Sequence, residues 1–187
     1  MASTDPLPTL DIGLPAWCLR AWRENDAPAL ARHANSVNVW RWMSDSFPHS
    51  YTLAIAEHWV RHGQVEFGGH HWAIAFVDEA VGGCGIAPLA GPERCVAEVG
   101  WWLGEPYWGR GVGSRVARLL VERAFAGPGI ARVVAPVHAG NERSMAVARR
   151  AGLQLEAVQR CGAVKDGRVI DRHLFVATRR TDACSPA

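Results

Sequence analysis

The sequence predicts one α/β domain built on a mixed sheet, and three observations carry that prediction. Stretches of period-two and helical character follow each other as strand, helices, hairpin, strand, helix, strand, helix, hairpin. A glycine-rich turn joins a strand to an amphipathic helix near Gly113, which implies one parallel crossover. Two strand-like pairs meet at turn-forming residues, Asp78-Glu79 and Lys165-Asp166-Gly167, the second with the D-G dipeptide favoured in hairpins. The length of 187 residues suits a single domain with a sizeable core.

Each element has its own signal. Residues 1–15 carry three prolines and little periodicity, so a flexible arm is expected before a domain over 16–180. Trp17 to Trp22 alternates and reads as a strand. Asp26 is placed to cap a short helix that tolerates Pro28 in its first turn. A second helix runs from Thr52 as N-cap to Gly63 as stop. After Gly68-Gly69, His71 to Val77 and Ala80 to Ile86 form the first hairpin, and Val96 to Leu103 is a central strand. Arg132 to Val137 is the next strand, followed by a helix from Asn141 that Gly152 ends. Leu155 to Cys161 and Val169 to Ala177 make the last pair, and residues 181–187 read as a frayed tail.

Composition narrows the function. Twenty basic against eighteen acidic residues leave +2, without a basic block, so electrostatic nucleic-acid binding is not expected. No apolar run reaches the roughly 18 residues of a membrane helix. Residues 1–6 lack the pattern of a signal peptide, and five cysteines without a C-x-x-C pair suit reduced thiols, so a cytoplasmic protein is expected. Nine tryptophans against two tyrosines is the one eccentric count.

The informative stretch runs from Trp101 to Arg115. A strand ends, Gly109, Gly111 and Gly113 alternate, and a helix begins with Arg115, Arg118 and Glu122 on one face and Val116, Leu119, Leu120 and Ala124 on the other. Such a turn is an anion site, because unpaired N–H groups and the positive end of the helix dipole face the ligand while glycine admits close approach. A P-loop would need G-x-x-x-x-G-K-[ST], which is absent, and from Gly111 a Rossmann turn would need glycine where Val116 stands. The pyrophosphate turn of acyl-CoA-dependent acetyltransferases, [QR]-x-x-G-x-[GA], fits from Trp108 to Gly113 except at its first position. A glycine turn without a ligand stays open beside it.

Gly100 to Gly113 resembles the GNAT acetyltransferase superfamily, in particular its RimJ/RimL-type branch, in which a Trp such as Trp108 commonly replaces the Gln or Arg. His138 to Ser144 through Gly152-Leu153, Leu155-Glu156 through Arg160, and Gly167-Arg168 through Asp171 look like further motifs of the branch in the same order. Leu19 to Trp22, Val39 to Trp42 and Val81 to Gly83 do so upstream. The resemblance implies the GNAT fold, a mixed and mostly antiparallel twisted sheet flanked by helices. In it the strands at Val96–Leu103 and Arg132–Val137 splay to hold acyl-CoA. It further implies that Trp101, Trp102 and Leu103 offer backbone groups to the pantetheine arm. Gly109, Arg110, Gly111, Val112, Gly113 and Ser114 would hold the pyrophosphate, and Asn141 would contact the arm near the thioester.

Acetyl transfer from acetyl-CoA to an amine needs a neutral amine, a stabilised oxyanion and a protonated leaving thiolate. An N–H near Leu103 is the oxyanion donor. Many relatives protonate the thiolate with a Tyr seven residues after the Asn; here that position is Ala148, which leaves Ser144 as the substitute, or else a hydroxyl spent on its own helix start. Glu98 is the candidate base, or else a carboxylate paired with a neighbouring cation. Where some relatives carry a Glu three residues after the hairpin Arg, Ala163 stands, which weakens a ribosomal-protein specificity. His58 and His62 lack a third metal ligand, so no metal is expected. His70 and His71 point to opposite faces of a strand, and Arg149 or Arg150 could reach the 3′-phosphate of CoA. The expected activity is N-acetylation of a primary amine, on a protein N-terminus or a small molecule, with a non-catalytic acyl-CoA-binding module as the rival. No nucleic acid or membrane partner is expected, and a homodimer is compatible with the sequence.

Overall fold

A computed structural model describes residues 7–66 and 68–179. The tail expected over 181–187 lies outside the described residues. Eight strands form one sheet in the order β1-β2-β3-β4-β5-β6-β8-β7. They are β1 (Leu10–Asp11), β2 (Trp17–Arg20), β3 (His70–Phe76), β4 (Glu79–Pro88), β5 (Val96–Leu103), β6 (Arg132–His138), β7 (Gln154–Lys165) and β8 (Arg168–Thr178). Every pairing is antiparallel except β5 with β6, where α4 (Val112–Ala126) makes the crossover. On one face lie α1 (Ala27–Ala34) and α3 (Leu53–Glu66), over a small cluster that includes Leu30, Ala56 and Ala73. On the other, α4 and α5 (Glu142–Arg150) cover the larger core, with Val116, Leu120, Val133 and Phe175 fully buried. A single turn, α2 (Val37–Trp40), stands above the first face.

Several expectations are corrected. Leu10–Asp11 of the expected arm pairs with Leu19 and Cys18 of β2, and Trp72 Nε1 donates to the Pro8 carbonyl, so this stretch is tied to the sheet. Helix α3 begins after Thr52, whose hydroxyl accepts from Ile55 N–H, yet it runs past Gly63 to Glu66. Glycine tolerates helical backbone where packing favours it, and a Cβ at Gly63 would strike the Trp59 ring. The turn of the first hairpin is Val77-Asp78, both with positive φ (48° and 67°), one residue earlier than expected.

Asp26 sits at the start of α1 but its side chain gives that helix no cap. Its carboxylate turns inward to a bidentate pair with Arg20, at 2.8 and 2.7 Å, and accepts Arg23 N–H at 2.8 Å. Arg20 also donates to the Asp78 carbonyl at 2.6 Å. Both side chains are almost fully buried, so each charge depends on the other. One ion pair thereby ties β2, the start of α1 and the β3–β4 turn. Asp26→Ala removes the bidentate partner of a buried guanidinium, leaving it the exposed Asp78 carboxylate at 3.3 Å, and is expected to cost about 3 kcal/mol, read from the midpoint of chemical unfolding.

Candidate active site

The cleft starts where β5 and β6 part. Their pairing lasts from Val96↔Arg132 to Glu98↔Val134 and then stops, although both strands continue. Leu89 N–H donates to Val96 O and Gly104 N–H to Val81 O. With the antiparallel alternation of bonded pairs, the even-numbered residues of β5 therefore spend their main-chain groups on β4. Those of Trp101 and Leu103 face the gap. The opening is about 1560 Å³ and passes through the sheet from one face to the other.

Both Trp101 and Trp102 line it, although their side chains alternate. Trp101 packs with the larger core and Trp102 with the smaller, its ring 5.7 Å from Phe47 in an edge contact. A cleft cut through the sheet is walled from both faces, so alternation does not exclude either. Their main chains differ, however. Trp102 is committed to β4, which leaves Trp101 and Leu103 as the backbone groups open to a ligand. At Leu103 the carbonyl is already taken by Trp108 Nε1 at 2.7 Å, so its N–H is the group left over.

The glycine turn leads into α4. Gly111 is left-handed at φ 77°, precedes the helix and makes no side-chain cap. The first N–H groups of α4 have no intrahelical acceptor by geometry, and they line the cleft at Val112, Gly113 and Ser114. A Cβ at Gly109 or Gly111 would meet nothing within 4 Å, so the space above the turn is open, as a bound phosphate requires. The Val112 side chain is buried in the core, so only its backbone can serve a ligand. Arg110 leans away, over Tyr107 and onto the Pro106 carbonyl. Of the arginines on the facing helix, Arg149 lies over Phe175 while Arg150 lines the cleft, its carbonyl held by Arg118.

Asn141 caps α5: its carboxamide oxygen accepts Ser144 N–H at 3.1 Å, leaving its NH2 for a ligand. Because Asn141 makes the cap, Ser144 Oγ has no hydrogen bond among the described residues and lines the cleft. Ala148 is fully buried on the inner face of α5. Tyr51 is buried, its phenol pushed up to about 12, whereas Tyr107 reaches the cleft wall. Glu98 sits where the strands part, exposed to the cleft but within its walls. Burial raises its carboxyl above the ordinary range, and Arg172 draws it partly back.

Some participants leave no mark in the sequence pattern. Arg172 and His138 line the cleft from paired positions on β8 and β6. Asn38, Trp42 and Met43 line the cleft from α2 and the following loop. Trp40 does not join Trp42 there, because the segment is helical rather than extended; it stacks on His49 and holds the Lys165 ammonium 3.9 Å above its ring. His58 pairs with Glu66, and neither His70 nor His71 lines the cleft. Among the described residues no group of three His, Cys, Asp or Glu could hold a metal, and no helix is long and apolar enough to cross a membrane.

Comparisons with known proteins agree with this geometry. Residues 17–154 match the model of the acetyltransferase (GNAT) domain. The uncharacterized N-acetyltransferase p20 of Bacillus licheniformis is 30% identical over 103 residues, covering 55% of this chain and 57% of that protein. The chain thus spans little more than half the length of this curated relative. Among solved structures, the RimL ribosomal L7/L12 α-N-protein acetyltransferase in complex with coenzyme A superimposes with a TM-score of 0.77 at 22% identity, over 91% of this chain and 98% of that one. The microcin C7 self-immunity acetyltransferase MccE, in complex with acetyl-CoA and AMP, gives 0.79 at 17%, over 92% and 98%.

Gly111→Leu places a side chain in the open space above the turn and strains a left-handed residue. It is expected to abolish CoA binding by calorimetry, while far-ultraviolet circular dichroism stays native. In the wild type, CoA is expected to shift the emission of Trp101, Trp102 and Trp108. By the extent of the domain match, the chain belongs to the GNAT acetyltransferase family.

Proposed function

We propose that this protein is an N-acetyltransferase that moves an acetyl group from acetyl-CoA directly to a primary amine. One observation carries the reading: the gap between β5 and β6 opens straight onto a glycine turn with free helix N–H groups. A pantetheine arm fits beside the unpaired main chain of Trp101 and Leu103, and a pyrophosphate fits at Gly109 to Ser114. Arg150, among the arginines that line the cleft, is a candidate for a further phosphate. The bound forms of the RimL and MccE structures support the same cosubstrate.

In this reading the amine nitrogen attacks the thioester carbon while the Leu103 N–H steadies the developing oxyanion. Glu98 receives the amine proton, which its raised proton affinity favours. As the C–S bond breaks, the sulfur leaves beside Ser144, whose free hydroxyl donates to the thiolate. The acceptor is a protein N-terminus or a small amine. The four described cysteines are all unpaired, which suits a reducing, cytoplasmic setting.

Release of free thiol from acetyl-CoA across a panel of amines and peptides tests the proposal. CoA binding without thiol release for any acceptor would overturn it in favour of an acyl-CoA-binding module. Glu98→Gln is expected to lower kcat/KM about 10²–10⁴-fold, the usual contribution of a general base. It should also remove an acid limb that lies above the ordinary glutamate range, since the base works only when deprotonated. Ser144→Ala should lower kcat with little change in CoA affinity; an unchanged kcat would remove Ser144 from the acid role.

A further inference from the structure

At the acceptor end of the cleft the register lines up one row of side chains on a single face. Gln159 pairs with Arg172, and Arg172 with His138. Extending the β5–β6 register from Glu98↔Val134 by four residues sets Trp102 across the opening from His138. Within this row Arg172 is half-buried and anchored by one bond, Nε to Gln159 Oε1 at 2.8 Å. No carboxylate lies within ion-pair distance of it among the described residues.

The neighbouring acids are committed elsewhere. Asp45 holds Lys165 Nζ at 3.3 Å and accepts Asp166 N–H. Glu105 accepts from Ser36 and Asn38 at 2.8 and 3.0 Å. Glu98 is the remaining carboxylate on this part of the wall, and it is not paired with Arg172. A half-buried guanidinium has lost part of its hydration, and its planar fork matches a carboxylate bidentately. Here Gln159 satisfies only Nε, and the terminal NH2 groups are left for something in the cleft. Between Arg172 and Glu98 the floor is clear: a Cβ at Gly100 would meet nothing within 4 Å, and Pro136 adds little bulk.

We propose that the acceptor carries a carboxylate beside its reacting amine, as an amino acid or an acidic N-terminal residue does, and that Arg172 binds it through its two free NH2 groups. The inference rests on the acetyl-transfer reading for its amine and adds the group that selects it. Glu98 then faces the amine and Arg172 the carboxylate, so a dipolar acceptor meets opposite charges at the two ends of one pocket. The pocket's indole and thioether walls, Trp102, Trp42 and Met43, suit an apolar side chain on that acceptor.

Binding of the product tests this without turnover. With CoA present, N-acetylphenylalanine and N-acetylphenylalaninamide are titrated against tryptophan emission. The acid is expected to bind at least about tenfold tighter than the amide, and in Arg172→Gln the two should agree to within about threefold. Gln159→Leu, which keeps the charge but loosens its anchor, should give an intermediate ratio and guards against misfolding of the first variant. Equal binding of acid and amide by the wild type, or an unchanged ratio in Arg172→Gln, overturns the proposal.

Rates with phenylalanine, phenylalaninamide, Asp-Ala-Ala and Asn-Ala-Ala separate the sources of the carboxylate. Preference for phenylalanine over its amide supports a free amino acid, and preference for Asp-Ala-Ala over Asn-Ala-Ala supports an acidic N-terminus. No preference in either pair overturns the proposal. Thiol release from carboxylate-free amines alone leaves acetyl transfer standing while the Arg172 assignment falls. An acid-over-amide binding ratio without thiol release from any amine does the reverse.

Discussion

Three residue pairs of parallel sheet govern this molecule. From Val96 to Glu98, β5 is held by β6; beyond that the two strands diverge, each still fastened on its outer side, β5 to β4 and β6 to β8. A sheet that loses one ladder while keeping its neighbours does not collapse. It becomes two antiparallel halves hinged at Glu98, with unpaired main-chain groups along the opening. Those groups would be costly in a dry interior, so the gap must be wet or filled. The crossover helix α4 begins at the mouth of the gap, which brings its unpaired N–H groups to the same space.

Holding the halves at a fixed separation falls to a few specific contacts. Arg20 and Asp26 lock one half internally, joining β2, α1 and the β3–β4 turn. At the other half, the β7–β8 turn reaches across to α2 and the loop after it, where Asp45 receives Lys165 and Asp166 and Trp40 of α2 receives the ammonium face-on. Gly83 shows how tight the middle is: a Cβ there would stand 2.6 Å from Trp102 Nε1 and 3.2 Å from Trp22. The absence of a side chain at that position lets two indoles converge over β4 and fixes one wall of the cleft.

Much of this is legible in the chain. Alternation gives β5 its bounds, and the glycines at 109, 111 and 113 mark the turn into α4 that is proposed to hold the pyrophosphate. Asn141 is readable as a cap, and it is one. What could not be read follows from the range of the signals. Gly63 looks like a stop because local propensity knows nothing of Trp59 packed against it. The helical turn Val37–Trp40 is too short for periodicity to register, so the separation of Trp40 from Trp42 was hidden. Arg172 and His138 come together with Glu98 only through the β6–β8 register, set by strands more than thirty residues apart in sequence. Likewise Asp26 looks like a helix cap locally, and only the fold presents it with Arg20.

The indole of Trp108, bonded to the Leu103 carbonyl and covered by the Arg143 guanidinium at 4.8 Å, ties the end of β5 to the start of α5. The segment between, from Gly104 to Tyr107, closes on itself through a single helical turn. A loop fastened in this way has already surrendered its conformational freedom during folding, so little ordering entropy is left to lose on association. The glycine turn that follows it is thereby held at its start, and binding there is expected to resemble a lock meeting its key more than a loop wrapping a ligand.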